Sequence, residues 1–159
     1  MNTRTQRAVL LALLGGLAVA PCLMAQPPSL TYGEDYTVGD QVHAVTTVKV
    51  APNRIDHYLA GLARSWVPAN EISREMGLIK DSSIWVSELP SSGDFNVVLV
   101  VVFENAAQRE KINDPATFAE FERKVEEKFS EQESFQVTEG YTQIREIVGE
   151  YLLRQITLK

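Results

Sequence analysis

Histidine is scarce in this chain of 159, with only His43 and His57 present. An imidazole can carry a proton near neutral pH or ligate a metal. His43 sits in an alternating stretch and shares its parity with Thr47 and Lys49. That placement serves either a structural polar residue on a sheet face or a general base and ligand contact. His57 falls almost opposite the apolar stripe of the first expected helix and reads as a solvated surface residue. The two lie on different elements, no HExxH spacing occurs, and the single cysteine, Cys22, falls in an expected leader, so no metal site is legible. The chain has no GxGxxG, no P-loop and no GxSxG; nucleotide binding and hydrolase chemistry of those kinds lack support. Three other constellations stand out. Trp66 and Asn70 are four apart around Pro68, adjacent if a helix runs through them. Tyr141 and Arg145 enter the last strand, where a guanidinium holds a carboxylate ligand or pairs with a glutamate. Trp85 lies on an edge strand. Trp66 equally suits the space between helix and sheet as a core residue. The candidate ligand-binding set is therefore Trp66, Asn70, Tyr141, Arg145 and His43, with no catalytic residue assigned and no cofactor expected.

The element that most constrains the positioning of these residues is an apolar run, Val97–Phe103. Phe95, Val97, Leu99, Val101 and Phe103 fall on one parity, and Asn96, Val98, Val100 and Val102 on the other. A half-exposed strand alternates; this one barely does, which predicts a central strand covered on both faces. A domain of this size covers one sheet face with its own helices, and the second face calls for another molecule.

Residues 1–25 read as a secretory signal peptide, with Arg4 and Arg7 ahead of an apolar stretch from Ala8 to Ala20 that is short for a membrane span. Cleavage is expected after Ala25, and Pro21 before Cys22 argues against a lipoprotein signal. Cleavage would leave 134 residues, enough for one domain with its own core, and no cysteine. The leader carries two of the 15 basic residues and none of the 21 acidic ones, so the mature chain stands at 13 against 21, a net charge of −8. Such a surface argues against nucleic acid and anionic lipid as partners. The expected location is periplasmic or secreted, with no membrane association after cleavage.

Residues 26–40, with Pro27, Pro28, Gly33 and Gly39, read as an extended arm or linker in which Tyr32 and Tyr36 are possible anchors. Residues 41–159 form the domain. Val42–Val50 alternates and is β-branched, a strand. Pro52 opens a helix with Ile55, Tyr58, Leu59, Leu62 and Trp66 on one stripe. A second stripe, Ala69, Ile72, Met76 and Ile79, is rotated by roughly 90° at about 100° per residue, so a kink or break is expected near Pro68. Ile84 to Leu89 is a polar, short edge strand; a turn at residues 90–94 leads into Phe95 to Phe103. Asp114 and Pro115 start a second helix whose buried stripe is Phe118, Phe121, Val125 and Phe129. Residues 130–142 are polar and irregular, with Phe135, Val137 and Tyr141 as possible anchors. Ile144 to Leu158 reads as one long strand, bent at Gly149.

The order strand, helix, strand, strand, helix, strand predicts a ferredoxin-like βαββαβ α+β fold, a four-stranded antiparallel sheet with helices on one face. With its doubly apolar third strand, the chain resembles the dimeric α+β barrel superfamily. More narrowly, Trp66-Val67-Pro68-Ala69-Asn70, Ile84-Trp85-Val86-Ser87-Glu88-Leu89-Pro90 with Ser92-Gly93-Asp94-Phe95, and Arg145-Glu146-Ile147-Val148-Gly149-Glu150-Tyr151-Leu152 resemble a group of exported bacterial proteins with no assigned role. The resemblance implies a homodimer through the open sheet face. Some superfamily members are cofactor-independent monooxygenases or haem-handling enzymes and others only bind. In several of the enzymes the pocket lies between sheet and helices, but no triad of theirs maps onto this chain. The leading expectation is an exported homodimer that binds a small apolar molecule between helices and sheet. The alternatives are a cofactor-independent monooxygenase-like enzyme acting on an aromatic or quinol substrate, and a structural or interaction subunit.

Overall fold

In the computed structural model the described residues are 29–89, 93–129 and 140–159. The expected leader, the first three residues of the 90–94 turn and most of the 130–142 segment, with Phe135 and Val137, lie outside them.

Strand β1 spans Tyr36–Val38 and β2 Val42–Val50. A short 3-10 turn at Pro52–Arg54 leads into α1, Ile55–Arg64, followed by α2, Trp66–Glu75. Strands β3, Asp81–Val86, and β4, Val97–Phe103, form the central hairpin. Helix α3, Ala106–Glu110, was not evident from periodicity; it precedes α4, Pro115–Lys128. The chain closes with α5, Tyr141–Ile144, β5, Arg145–Leu153, and β6, Ile156–Leu158. The four-stranded antiparallel sheet has the order β3-β4-β2-β5. The first and third of its strands are central and the second and fourth are edges, the ferredoxin-like arrangement. β4 is interior, as its apolar composition on both parities requires.

Cross-strand partners share a face, so the register assigns the parities. Val97 opposes Val48 and Leu99 opposes Thr46. Val97 and Leu99 join Val48, Val50, Tyr58 and Leu62 in the core, against which Ile55, Leu59, Trp66, Ile84 and Ile144 pack. The odd residues of β4 therefore face the helices, each fully buried side chain contributing roughly 1.5–3 kcal/mol over an exposed one. The even residues, Val98, Val100 and Val102, line the opposite face.

The helix break falls at Ser65, three residues before Pro68, rather than at the proline itself. Pro68 has no N–H for the Arg64 carbonyl and its ring crowds the preceding turn, so the distortion appears upstream. Ser65 closes α1 through its hydroxyl, which donates to the Gly61 carbonyl at 2.9 Å. β3 begins three residues earlier than the apolar run suggests, because Asp81, Ser82 and Ser83 all pair with β4. The stretch expected as one long strand is divided: a helical turn precedes β5, a bulge opposite Thr47 and Val48 stands beside Gly149, and the chain leaves the main sheet after Leu153. β6 then pairs with β1, Tyr36 opposite Leu158 and Val38 opposite Ile156. Part of the 26–40 arm is thus one strand of a separate two-stranded ribbon. α4 buries none of its residues, and Phe118 is exposed where a buried stripe was expected.

Candidate functional site

The face of the sheet away from the helices is a register-built grid. In one rung Asp81, Val102, His43 and Leu153 stand side by side across β3, β4, β2 and β5. The next holds Ser83, Val100, Val45 and Tyr151, and the third Trp85, Val98, Thr47 and Gly149. Valine fills the centre because β4 carries Val98, Val100 and Val102 on this parity and β2 sets Val45 between His43 and Thr47. Trp85, Tyr151 and Leu153 are 63, 50 and 50% exposed on the flanking strands. None of the described helices covers this face, and apolar side chains gathered in such a patch mark a binding surface.

A cleft of about 480 Å³ opens on the face. Its floor is Val45, Val100 and Val102, and Trp85 and Ser83 stand at the β3 side. At the β5 side are His43, Leu153, Arg154 and Gln155. The Trp85 indole Nε1 donates to the Ser83 hydroxyl oxygen at 2.9 Å, which lays the ring along β3. The Arg154 Nε donates to the Gly39 carbonyl at 2.9 Å, and the Gly39 amide donates to the Gln155 carbonyl at 2.8 Å. These bonds hold the turn between β5 and β6 and so the guanidinium beside the cleft. The strand-borne charged residues Asp81 and Lys49 do not line it. Asp81 pairs with Arg74 at 3.5 Å and accepts from the Ser82 amide at 2.8 Å. Lys49, opposite Glu146 in the register, donates to the Gly93 carbonyl at 2.6 Å.

The residues singled out in the sequence divide between the two faces. His43 lines the open cleft. Trp66 and Asn70 occupy successive turns of α2 on the helix side; Trp66 packs on the core, and the buried Asn70 amide donates to the Trp66 carbonyl at 2.7 Å. Arg145 opens β5 beside Val50 and is also on the helix side. Its Nη1 donates to the Tyr58 hydroxyl at 2.9 Å, with the guanidinium carbon 5.5 Å from the ring centroid. Tyr58 is wholly buried, so this pair anchors α1 to β5. Tyr141 heads α5 immediately before that strand. His57 is exposed. Ser83, Arg154 and Gln155 were not evident as site residues, since only the register and the ribbon turn bring them to one cleft. Parity was the available signal: His43 and Val45 share it on β2, and Ser83 and Trp85 on β3.

Among the described residues no three His, Cys, Asp or Glu side chains are grouped to hold a metal ion, and no helix is long and apolar enough to cross a membrane. No protein-family model and no curated protein matches the sequence. Among solved structures the chain is similar to HapK from Hahella chejuensis, at 11% identity and a TM-score of 0.41 over 72% of this chain and 91% of that one. It is also similar to a dimeric protein of unknown function and ferredoxin-like fold from Bacteroides fragilis, at 11% identity and a TM-score of 0.39 over 75 and 98%. A dimeric ferredoxin-like protein of unknown function from Thermobifida fusca follows at 6% identity and 0.36, over 83 and 100%. The chain's own strand order and helix placement make it a ferredoxin-like α+β protein with an open-faced cleft.

Proposed function

We propose that this is an exported, periplasmic or secreted, homodimer that holds a small, mostly apolar molecule against its open sheet face, beneath the matching face of a second copy. The observation that carries the reading is the valine-floored cleft at the centre of a sheet face without helical cover. Its volume lies in the range of small-molecule sites, which are apolar with a few convergent polar groups. Four strands at about 4.8 Å spacing and seven residues at about 3.3 Å make a face of roughly 450 Å² in projection. Leaving that much apolar surface in water is unfavourable, and a twin face would remove it from solvent. The leader read in residues 1–25 supports export.

The parity assignment makes the test specific. Val100→Asp should convert a dimer to a folded monomer in sedimentation, because the new carboxylate lies on the open face. Leu99→Asp, one residue away, should abolish folding, because it puts a charge into the core. A metabolite panel in thermal-shift assays should contain at least one apolar compound that stabilises the wild-type chain and not Val100→Asp. A wild-type protein that stays monomeric at high concentration and is stabilised by nothing overturns the reading.

A further inference from the structure

We infer that the molecule held in the cleft is a flat apolar acid, its ring system on the valine floor against Trp85 and its anionic group at Arg154. The inference rests on the proposed reading of the cleft as a small-molecule site and adds the ligand's chemical class.

The polar groups of the cleft are segregated. At the β3 side the Trp85 Nε1–H is spent on the Ser83 hydroxyl oxygen, so that side presents the indole face and one neutral hydroxyl. A flat, polarisable ring system is what an indole beside a valine floor contacts best. The β5 side gathers the nitrogen donors and the one cationic group: His43, Arg154 and the Gln155 amide. Register places them together, since Leu153 opposes His43 and Arg154 follows it. Of the five N–H donors of the Arg154 guanidinium, Nε–H is spent on the Gly39 carbonyl. That bond orients the group, and among the described residues no carboxylate lies within ion-pair distance of it. Orientation in advance lowers the cost of binding an anion.

Local charge runs against the composition of the chain. The protein has 21 acidic residues against 15 basic ones, yet no Asp or Glu lines the cleft. The acid in the same rung as His43, Asp81, is drawn off by Arg74, and Glu146 lies opposite Lys49 at the far end of the face. An arginine and an imidazole at one end of an otherwise apolar groove attract a carboxylate or sulfonate and disfavour an amine.

The test compares three probes that share a ring system, 2-naphthoate, 2-naphthalenemethanol and 2-naphthylmethylammonium, by calorimetric titration of the full purified chain. Charge-assisted hydrogen bonds are worth about tenfold or more in affinity, so naphthoate should bind at least about tenfold tighter than the alcohol, with the ammonium weakest. Arg154→Gln should bring naphthoate to the alcohol's affinity while the alcohol is unchanged, Arg154→Lys should keep part of the preference, and His43→Gln should reduce it. Thermal melts of each variant separate loss of binding from loss of fold. Equal binding of acid and alcohol overturns the inference and leaves the small-molecule reading standing. So does an acid preference that survives both Arg154→Gln and His43→Gln, which would place the anion elsewhere. Binding of none of the three overturns the inference, whereas the broader reading falls only if the metabolite panel is also silent.

Discussion

Val50 shows how one side chain can finish a sheet. The β2–β4 pairing ends at Val48 opposite Val97, which leaves the Val50 amide and carbonyl without a strand partner on that side. Asn96 replaces the missing strand: its Oδ1 accepts from the Val50 amide at 2.8 Å and its Nδ2 donates to the Val50 carbonyl at 2.7 Å. Its own amide donates to the Val48 carbonyl at 3.0 Å and its carbonyl accepts from the Ser87 amide at 2.9 Å. Both Asn96 and Val50 are buried, so removing the carboxamide strands two backbone groups away from water. Leaving buried polar groups unpaired costs about 1–3 kcal/mol each. Asn96→Ala should therefore lower the urea midpoint by an amount equivalent to about 2–4 kcal/mol with an unchanged slope. The same substitution at exposed Asn53 should leave the midpoint nearly where it was.

Helix α4 depends on its ends and edges more than on its packing. None of its residues is buried, and its tie to α2 includes the Lys128–Glu71 ion pair at 3.2 Å between exposed side chains, a kind of contact worth little in water. Its start is well defined. The Asp114 carboxylate accepts from the Thr117 hydroxyl at 2.8 Å and from the Thr117 amide at 2.9 Å, and Pro115 begins the helix. Those bonds, the hydroxyl's first, hold the Asp114 pKa below the ordinary aspartate value. A carboxyl whose folded pKa lies below its unfolded one adds stability that is complete above the unfolded value and is lost as pH falls through the folded one. Amide exchange in α4 should accordingly speed up as pH drops below the usual aspartate range, about 3.9, once corrected for intrinsic rates. Asp114→Ala should show the faster exchange already at neutral pH and lack that added acid dependence. The bulge in β5 is the other local device. A Cβ on Gly149 would stand 2.5 Å from the Tyr151 hydroxyl oxygen. Glycine at this point lets the Tyr151 ring lie back over the strand and keeps the open face flat.

The described residues build a four-stranded sheet with helices on one face and a two-stranded ribbon attached by its strand ends. In the ribbon, Tyr36, Val38, Ile156 and Leu158 share one face, and Thr37 and Thr157 the other. Tyr32 adds an edge-to-face contact with Tyr36 at 5.8 Å. A lone pair of strands is marginal in water, and this one is held by its connection to β5 and by the Arg154 and Gln155 bonds to Gly39. Ending the chain after Gln155 should leave the melting temperature of the main domain almost unchanged while making residues 29–40 the first site of limited proteolysis. Cleavage first within β2 or β4 would show instead that the ribbon braces the main sheet.

The apolar pattern of β4 and the alternation of β2 were enough to place both strands at the centre of the sheet, and Asp114-Pro115 enough to start α4. These features act over one or two turns of chain or along a single strand, so local composition carries them. Gly149 pointed to an irregularity in the last strand for the same reason. The cleft was legible only in fragments, as His43 on one strand and Trp85 on another. Joining them required the pairing register, which sets Ser83 beside Val100 and Val45, and the ribbon turn, which swings Arg154 to the end of the groove. Register and strand exit are settled by contacts between segments far apart in the chain. That is why Trp66, Asn70 and Arg145, conspicuous in the sequence, came to lie behind the sheet, while an unremarked arginine stands at the mouth of its open face.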